Sequence, residues 1–351
     1  MGWKEDISLR PYNTFGIEAS ARHFARFSDA DQLEALLRSG PFAHQGRPAS
    51  LRRMSPGSLL VLGGGSNILF TRDPEAWVLK NEIAGIRLLR EDNRYVYVQV
   101  GAGEVWHDFV QHCLKRDWAG VENLSLIPGS VGAAPMQNIG AYGVELKEFF
   151  HELEAWDLQT GKVRIFTVND CRFGYRESVF KQEYKERFII LNVTFRLNHK
   201  PVFHTGYGAI REELEKMQVK QLSIRAISEA VVRIRSAKLP DPARIGNAGS
   251  FFKNPTIPNA QFMSLKARFP DIVAFPDPVH PVTKLAAGWM IEQCGWKGFR
   301  RGDAGCHERQ ALVLVNYGKA TGREILALSE EILRSVHQKF GITLEREVNI
   351  V

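Results

Sequence analysis

A chain of 351 residues is longer than one hydrophobic core usually serves, so we expect two or three domains. Its hydrophobic content of 44% and charged content of 24% are typical of a soluble globular protein, and no apolar run approaches the roughly 18 residues of a membrane span. The start of the chain has no apolar signal-peptide core, so we expect a cytoplasmic protein without a membrane partner. The net charge of +7 favours acidic partners, but no nucleic-acid-binding motif accompanies it.

The spacing of cysteine and histidine indicates neither a disulfide framework nor a metal site. The four cysteines are scattered without a C-x-x-C pair, so we expect reduced, mostly structural thiols. The ten histidines lack the spacing of metal ligands, since His107 and His112 are not four positions apart, as two ligands on one helical face would be. We therefore expect no bound metal ion.

The N-terminal part of the chain predicts two strands and a helix around a basic insertion. Arg22–Phe27 is a strand candidate, and Ala30–Ser39 has the apolar spacing of a short amphipathic helix that ends before Gly40. Gln45–Met54 combines Arg, Pro and Ser and predicts a flexible insertion with a solvated surface. Leu59–Leu62 is an apolar strand that leads directly into a run of glycines.

That glycine run, Gly63–Asn67 (GGGSN), has the composition of a phosphate-binding loop. Backbone amides at the end of a strand can wrap a phosphate when no side chains intervene. The spacing is not G-x-G-x-x-G, which disfavours a Rossmann site, and an ordinary glycine-rich turn is the alternative interpretation.

The middle of the chain mixes hairpins with helices and has no strict βα alternation, which favours an α+β domain. The predicted elements are strands at Ile86–Leu89, Tyr95–Val100, Phe150–Leu158, Val163–Phe166 and Phe188–Leu197, and a helix at Val105–Lys115.

The stretch Asn123–Val144 (NLSLIPGSVGAAPMQNIGAYGV) has no charged residue and carries four glycines and two prolines. Its Pro-Gly and Gln-Asn pairs exclude a membrane span, and its Leu, Ile, Val and Met content excludes a disordered linker. A buried, irregular backbone must find partners for its own polar groups, and glycines let it approach a ligand closely. We interpret this stretch as the wall of a cofactor site.

The C-terminal part predicts mostly helices and a second glycine-rich polar segment, Gly246–Pro255. Thr283 is a suitable N-cap for the helix predicted at Lys284–Cys294, and Gly295 is a suitable residue to end it. A capping box, Thr321 to Glu324, begins the last helix. The predicted elements are helices from Thr205 to Met217, Ser223–Ala237, Ala260–Arg268, Lys284–Cys294 and Thr321–Phe340, and strands at Leu312–Val315 and Ile342–Val351.

Six motifs together, in their order along the chain, resemble the UDP-N-acetylenolpyruvoylglucosamine reductase family. The resemblance covers nearly the whole chain. It implies an α+β protein with FAD in a vanillyl-alcohol-oxidase (PCMH) type fold of two subdomains, 1–72 and 73–222. A C-terminal α+β substrate-binding domain, 223–351, follows, and its final strand returns to the active site. The motifs are Pro11–Gly16, Gly63–Asn67, Ile127–Gly143, Gly174–Ser178, Gly246–Pro255 and Leu344–Val348.

The resemblance implies reduction of the enolpyruvyl ether of UDP-N-acetylglucosamine, with NADPH as hydride donor, in peptidoglycan precursor synthesis. We expect non-covalent FAD, because neither cofactor stretch contains the His or Cys that covalent members of this fold use. The cofactor-binding residues implied are Gly63, Gly64, Gly65, Ser66, Asn67, Pro128, Gly129, Ser130, Gly132, Ala133, Asn138, Gly140, Ala141, Tyr142 and Gly143.

The resemblance gives Ser250 and Arg176 catalytic roles. Hydride addition leaves an enolate that must be protonated, and Ser250 would be the proton donor, in a site from which the neighbouring phenylalanines exclude water. Arg176 would face the substrate carboxylate, because its guanidinium is planar and its permanent positive charge would stabilise the negative charge that develops. A turn serine, and a surface ion-pair cluster of Arg172, Arg176 and Glu177, are the alternatives.

Glu347 would assist proton delivery, if burial raises its pKa, and Glu345 on the same predicted strand face is the alternative. Several relatives have an arginine two residues after this glutamate, where this chain has Asn349. Thr205–Gly208 matches the loop of the longer family type, whose tyrosine folds over the substrate. The substrate-binding residues implied are Tyr207, Lys238, Asn254, Gln310 and Tyr175.

Two other functions remain open from the sequence. A flavin-dependent oxidase of a small alcohol or carbohydrate would use the same fold without a protonating serine. A non-catalytic nucleic-acid-binding protein would rest on the charge of +7 and the basic insertion. We expect a monomer that binds small molecules.

Overall fold

A computed structural model describes residues 2–39 and 57–351, so the basic insertion Gln45–Met54 lies outside the described residues. The chain forms two compact units, each built from separated segments. The described parts of Met1–Ile7, Ser20–Gly65 and Pro74–Ala237 form the larger unit, and Ser8–Ala19, Ser66–Asp73 and Lys238–Val351 form the second unit.

Strands and helices alternate irregularly along the chain, as an α+β protein requires. The strands are β1 (Lys4–Ser8), β2 (Ser20–Phe27), β3 (Leu59–Leu62), β4 (Ile68–Leu69), β5 (Trp77–Asn81), β6 (Ile86–Glu91), β7 (Tyr95–Gly101), β8 (Gly140–Ala141), β9 (Val144–Glu145), β10 (Phe150–Asp157), β11 (Lys162–Thr167), β12 (Phe188–Asn198), β13 (Gly246–Ser250), β14 (Thr256–Pro258), β15 (Ala274–Pro276), β16 (Val282–Leu285), β17 (Arg300–Arg301), β18 (Ala304–Cys306), β19 (Val313–Asn316) and β20 (Asn349–Ile350). The α-helices are α1 (Ala30–Ser39), α2 (Trp106–Lys115), α3 (Val168–Cys171), α4 (Gly208–Lys216), α5 (Ile224–Lys238), α6 (Asn259–Arg268), α7 (Ala287–Gln293) and α8 (Gly322–Phe340).

Two sheets organise the larger unit. The first has the order β1-β2-β5-β3, with β5 parallel to both β2 and β3, and the second is antiparallel with the order β11-β10-β12-β7-β6. Helix α2 buries Trp106 and Phe109, which contact Phe195 of β12 with ring centroids 5.9 and 4.7 Å away. The predicted hairpins and the predicted helices near Ala30 and Val105 are confirmed, and the apolar spacing of the two helices matches the faces they bury.

The second unit contains an antiparallel sheet, β13-β19-β18-β17, a smaller sheet, β14-β16-β15, and the parallel pair β20-β4. Thr321 and Glu324 form the predicted capping box of α8, and Gly341 ends the helix at φ +70°. The core face of α8 consists of apolar residues three or four positions apart, and its buried residues include Ile325, Leu328, Ile332, Val336 and Phe340.

The helix predicted at Lys284–Cys294 with Thr283 as N-cap is wrong at its start. Thr283 lies inside β16, which pairs with β14 and β15, and its Oγ1 donates to Asn259 Oδ1 at 2.7 Å. Thr283 and Leu285 are buried and alternate with half-buried neighbours, so Val282–Leu285 follows a strand period. The helix begins at Ala287, and Gly295 at φ +82° follows its end.

The strand predicted at Ile342–Val351 is reduced to Asn349–Ile350, because the preceding residues bury alternate side chains without a continuous strand ladder. The division into three domains at residues 72 and 222 stays a prediction. Helix α5 packs in the larger unit, where Ile227 and Val231 share a buried cluster with Ile210 of α4. Within residues 2–39 and 57–351, no helix is both long and apolar enough to traverse a lipid bilayer.

Candidate functional site

In the larger unit, the loop after β3 runs against the predicted wall with no room for side chains. A Cβ on Gly63 would lie 2.2 Å from Ser130 Oγ, and a Cβ on Gly64 would lie 2.8 Å from the Cα of Gly129. Real Cβ atoms do not approach other atoms this closely, so only glycine allows the two backbones to meet here. The structure therefore brings together two segments that the sequence predicted as cofactor-binding.

The wall itself is held by backbone hydrogen bonds to the turn that follows β7. Val131 N–H donates to Glu104 O at 2.8 Å, and Gly132 N–H donates to Ala102 O at 2.9 Å. A Cβ on Gly132 would lie 2.5 Å from the Cβ of Ala102, so this contact also excludes a side chain. Two backbone N–H groups of the wall thus find partners in the neighbouring turn, as a buried, irregular backbone requires.

The Ser130 hydroxyl is the feature of this cradle that indicates a ligand. Ser130 is 5% exposed, and its Oγ is buried without a hydrogen-bond partner among the described residues. A buried hydroxyl without a partner costs free energy, so a polar ligand atom at this position would relieve the cost. Glycines that open the backbone and a hydroxyl that needs a partner fit the diphosphate and ribityl groups of FAD.

The Asn138–Gly143 turn continues the wall in a conformation that non-glycine residues rarely adopt. Asn138 has φ +43° and Tyr142 has φ +51°. The Asn138 side chain donates to Glu145 Oε2 and to Gly174 O, each at 3.0 Å, and accepts from Lys147 N–H at 3.1 Å. These contacts lie within the protein, so the side chain of Asn138 fixes the turn that carries Gly140, Ala141 and Tyr142.

Arg176 lies against this turn. Its backbone has φ +56° in the tight turn that begins at Gly174, and its Nη2 donates to Gly140 O at 2.8 Å. Tyr175 precedes it and is half-buried, and Ser178 Oγ donates to Met136 O at 2.6 Å. The predicted carboxylate-binding arginine and the predicted cofactor wall are therefore in contact.

A second arginine, Arg235, approaches the same turn and was not predicted. It hydrogen-bonds to the side chain of Tyr142, and its Nε donates to Leu126 O at 3.2 Å. Burial lowers the pKa of the Arg235 guanidinium, and the charge of Arg176 lowers it further. Burial also raises the pKa of the Tyr142 hydroxyl. A sequence signal existed, since Arg235 follows buried Val231 by four positions on α5.

In the second unit, Ser250 ends a strand that is interrupted by a bulge. β13 pairs with β19 through Asn247 and Ser250, with a register shift between them, and Gly249 has φ +68°. Asn247 is buried, and its Oδ1 accepts the Gly249 N–H at 2.9 Å. The half-buried Ser250 is followed by Phe251 and Phe252, which are 0% and 1% exposed.

The N-terminal motif Pro11–Gly16 holds this segment in place, which the sequence did not reveal. Thr14 Oγ1 donates to Asn247 O at 2.6 Å, and Asn247 N–H donates to Thr14 O at 3.0 Å. Asn316 Nδ2 donates to Phe15 O at 2.9 Å. These residues are distant in sequence, so no local pattern could predict that they meet.

Glu347 lies next to the Ser250 segment. Its N–H donates to Phe251 O at 2.8 Å, and Asn67 Nδ2 donates to Glu347 O at 3.2 Å. Glu345, the alternative carboxylate, has a side chain 73% exposed and pairs with Lys253 at 3.1 Å. Half-buried Glu347 is therefore the better placed of the two, and its role stays a prediction.

Two predicted substrate-binding residues meet at the start of α7. Asn254 Oδ1 accepts the Ala287 N–H at 3.0 Å, and Gln310 Oε1 would lie 3.0 Å from a Cβ on Gly288. Phe251 N–H donates to Leu312 O at 2.7 Å, which ties this cluster to the Ser250 segment. Lys238 is exposed at the last residue of α5, and Tyr207 is 47% exposed at the start of α4. No group of three or more side chains suited to a metal ion occurs in the described part of the chain.

Comparison with protein families matches both halves of this architecture. Residues 54–167 match the FAD binding domain, and residues 241–351 match the C-terminal domain of UDP-N-acetylenolpyruvoylglucosamine reductase. The chain therefore has an FAD-binding fold of the vanillyl-alcohol-oxidase (PCMH) type together with an α+β C-terminal domain, and it is a flavoprotein oxidoreductase by class.

Whole-chain comparison identifies the family. A UDP-N-acetylenolpyruvoylglucosamine reductase of Amoebophilus asiaticus is 48% identical over 355 residues and covers 100% of both chains. The reductase of Burkholderia ambifaria is 51% identical and covers 97% of this chain and 95% of its own. The chain belongs to the UDP-N-acetylenolpyruvoylglucosamine reductase family. The crystal structure of the Thermus caldophilus enzyme, 23% identical with a TM-score of 0.64 and 99% coverage of each chain, has the same fold.

Proposed function

We propose that this protein reduces the enolpyruvyl ether of UDP-N-acetylglucosamine to UDP-N-acetylmuramate, with NADPH as hydride donor and FAD as cofactor, in peptidoglycan precursor synthesis. The observation that supports the proposal most is the backbone hydrogen bond between Phe251 and Glu347, which holds the Ser250 segment next to Glu347. The relatives of this chain are named as reductases. We also propose that it acts as a monomer in the cytoplasm.

The cradle of Gly63–Gly65 and Gly129–Gly132 would hold the FAD diphosphate with backbone amides and the Ser130 hydroxyl. Non-covalent binding is consistent with the composition of Gly63–Asn67 and Ile127–Gly143, which contain neither His nor Cys. When bound, FAD supplies the hydride transfer, and the protein supplies binding, orientation and charge.

Ser250 would protonate the carbon next to the substrate carboxylate. A serine hydroxyl is a weak acid, so this role requires a strongly basic carbanion in a site that excludes water. The fully buried rings of Phe251 and Phe252, 5.3 Å apart, make the adjacent wall apolar and support that requirement.

The family resemblance gives Arg176 and Glu347 each a role toward the enolpyruvyl group of the substrate. The guanidinium of Arg176 would bind the carboxylate and stabilise the enolate, since its planar, positively charged fork matches a carboxylate. Glu347 would assist proton delivery as a carboxyl fixed through its backbone to Phe251. Tyr207, Lys238, Asn254, Gln310 and Tyr175 would bind the sugar nucleotide or the nicotinamide cofactor.

An anaerobic two-step experiment tests the proposal. NADPH should bleach the flavin, and added enolpyruvyl UDP-N-acetylglucosamine should restore its colour. Ser250→Ala should still be bleached but should regain colour at least about 100-fold more slowly, the range of a lost general acid. Ser264→Ala, an exposed helical serine of the same unit, serves as the matched control.

Fast colour recovery in Ser250→Ala would remove that residue from the mechanism. A flavin that oxygen reoxidises in the presence of simple carbohydrates, and that ignores the sugar nucleotide, would instead indicate an oxidase.

A further inference from the structure

Asn123 connects the cofactor wall to the tyrosine loop, Thr205–Gly208. Its side chain is 1% exposed, and its Nδ2 donates to Tyr142 O at 3.2 Å and to His204 O at 2.9 Å. A side-chain amide has two N–H donors, and both are used here on two backbone carbonyls from separate segments. All of these residues belong to the larger unit.

One of these carbonyls belongs to a residue in a strained conformation. Tyr142 has φ +51°, a left-handed backbone conformation that is unfavourable for a residue with a Cβ. Such a conformation persists only where surrounding contacts determine it, and the pairing of β8 with β9, Asn123 at the carbonyl and Arg235 at the hydroxyl supply them. The ring of Tyr142 then meets the ring of Tyr207 edge to face, with centroids 5.4 Å apart.

The other carbonyl marks the fixed end of the tyrosine loop. His204 is held through its carbonyl by Asn123, and α4 begins at Gly208. Helix α4 is itself anchored, because Ile210 and Leu214 are buried against α5. Only Thr205, Gly206 and Tyr207 lie between the two fixed points, so the position of the Tyr207 ring depends on where Asn123 holds His204.

We propose that Asn123 is a positioning residue that sets the resting place of Tyr207 over the substrate site. It does so by fixing the base of the tyrosine loop to the Tyr142 carbonyl of the cofactor wall. The inference rests on the proposed function in one respect, namely that Tyr207 contacts the sugar nucleotide.

The first test measures the loop without turnover. In Asn123→Ala, measured at saturating FAD, backbone amides of 205–209 should exchange with deuterium at least about 5-fold faster than in the natural protein. The reason is that losing one or two hydrogen bonds changes an opening equilibrium by a factor of about 5–30. Asn81→Ala is the matched control, because Asn81 is also buried and bridges Ile190 O and Ile83 N–H far along the chain from the loop. Unchanged loop exchange in Asn123→Ala, or an equal increase in Asn81→Ala, would overturn the proposal.

The second test separates positioning from stability. Asn123→Ala should raise the KM for the sugar nucleotide about 5–30-fold and change kcat less, and it should add no further increase in a Tyr207→Ala background. Additive effects in the double variant would overturn the proposal. If the natural protein does not turn over this substrate, the proposed function fails, but the exchange experiment still decides the role of Asn123 in the loop.

Discussion

Two glycine-rich segments of similar composition, Gly63–Gly65 in the larger unit and Gly246–Ser250 in the second unit, are held in place by different interactions. Around the first, the packing partners are the Gly129 backbone and the Ser130 side chain, and a Cβ on its middle glycine would lie 2.8 Å from the Cα of Gly129. Around the second, the partners include polar side chains, and Thr14 makes two hydrogen bonds with Asn247. The conformation of the first segment depends on the absence of side chains from its glycines. The conformation of the second segment depends on hydrogen bonds from residues that are distant in sequence.

This difference indicates what each segment needs. A loop that cradles a phosphate needs exposed amides, and Gly63–Gly65 has no side chains and lies beside a buried Ser130 hydroxyl without a hydrogen-bond partner among the described residues. The proposed role of Ser250 requires a fixed backbone, and the side chains of Asn247 and Asn316 bind backbone groups of Gly249 and Phe15. Substitutions should therefore affect folding in the second segment and cofactor binding in the first.

The largest expected effect is that of Gly246→Ala on folding. A Cβ here would lie 2.2 Å from Phe15 O, a backbone atom, so the Pro11–Gly16 segment would have to move. We expect a loss of about 3 kcal/mol or more in the free energy of unfolding, measured by urea denaturation. Gly295→Ala is the control, since it has positive φ but open space and should cost only about 1–2 kcal/mol. Equal losses would show that the Phe15 contact is not what requires glycine.

Next in size is the effect of Gly64→Ala on cofactor binding. The new Cβ would push the loop from Gly129, and we expect FAD affinity to fall at least about tenfold because the amides would no longer converge. FAD titration of the apoprotein, followed by flavin fluorescence, measures this. Gly206→Ala, where nothing lies within 4 Å of the added Cβ, should leave FAD affinity unchanged. A Gly64→Ala protein that keeps its FAD would contradict the backbone account of the cradle.

The sequence predicted local features well because local patterns determine them. The last helix and its capping box at Thr321 are confirmed, and so is the hairpin of the strands predicted at Ile86–Leu89 and Tyr95–Val100. Gly63–Gly65 could be recognised as a backbone-lined loop because glycine is visible in the sequence. The prediction at Thr283 was wrong because tertiary pairing with β14 and β15 overrode a good local cap.

What the sequence could not supply is long-range pairing of polar groups. Nothing near Thr14 indicates that its partner is Asn247, and the resemblance named Ser250 without naming the residues that hold it. Arg235 was missed because an arginine beside an apolar helix face usually extends to solvent, whereas this one is half-buried and interacts with Tyr142.

A smaller expected effect separates ligand binding from stability within the cradle. Ser130→Ala removes a buried hydroxyl that has no hydrogen-bond partner among the described residues, so the apoprotein should be as stable as before or slightly more stable in urea. FAD affinity should fall about tenfold, the strength of one hydrogen bond to a charged group. Ser178→Ala is the contrast, because its hydroxyl donates to Met136 O at 2.6 Å and its loss should lower stability instead. A Ser130→Ala apoprotein that loses stability would assign this hydroxyl a structural role.

The smallest expected effect concerns Glu122, whose buried carboxyl directly precedes the wall. Here a side chain, and not only backbone, makes a hydrogen bond to a backbone N–H group. Its Oε2 accepts the Gly120 N–H at 2.7 Å, and burial raises its pKa despite that bond. The folded protein therefore binds this proton more tightly than the unfolded chain, and stability is lost as pH rises through the folded pKa. Glu122→Gln keeps an acceptor for Gly120 and cannot ionise.

The stability of this variant relative to the natural protein should thus increase between pH 5 and pH 8, by on the order of 1 kcal/mol in urea denaturation. A difference that stays constant over this range would mean that the carboxyl carries the same charge in both states, and that the wall tolerates a buried anion next to its glycines.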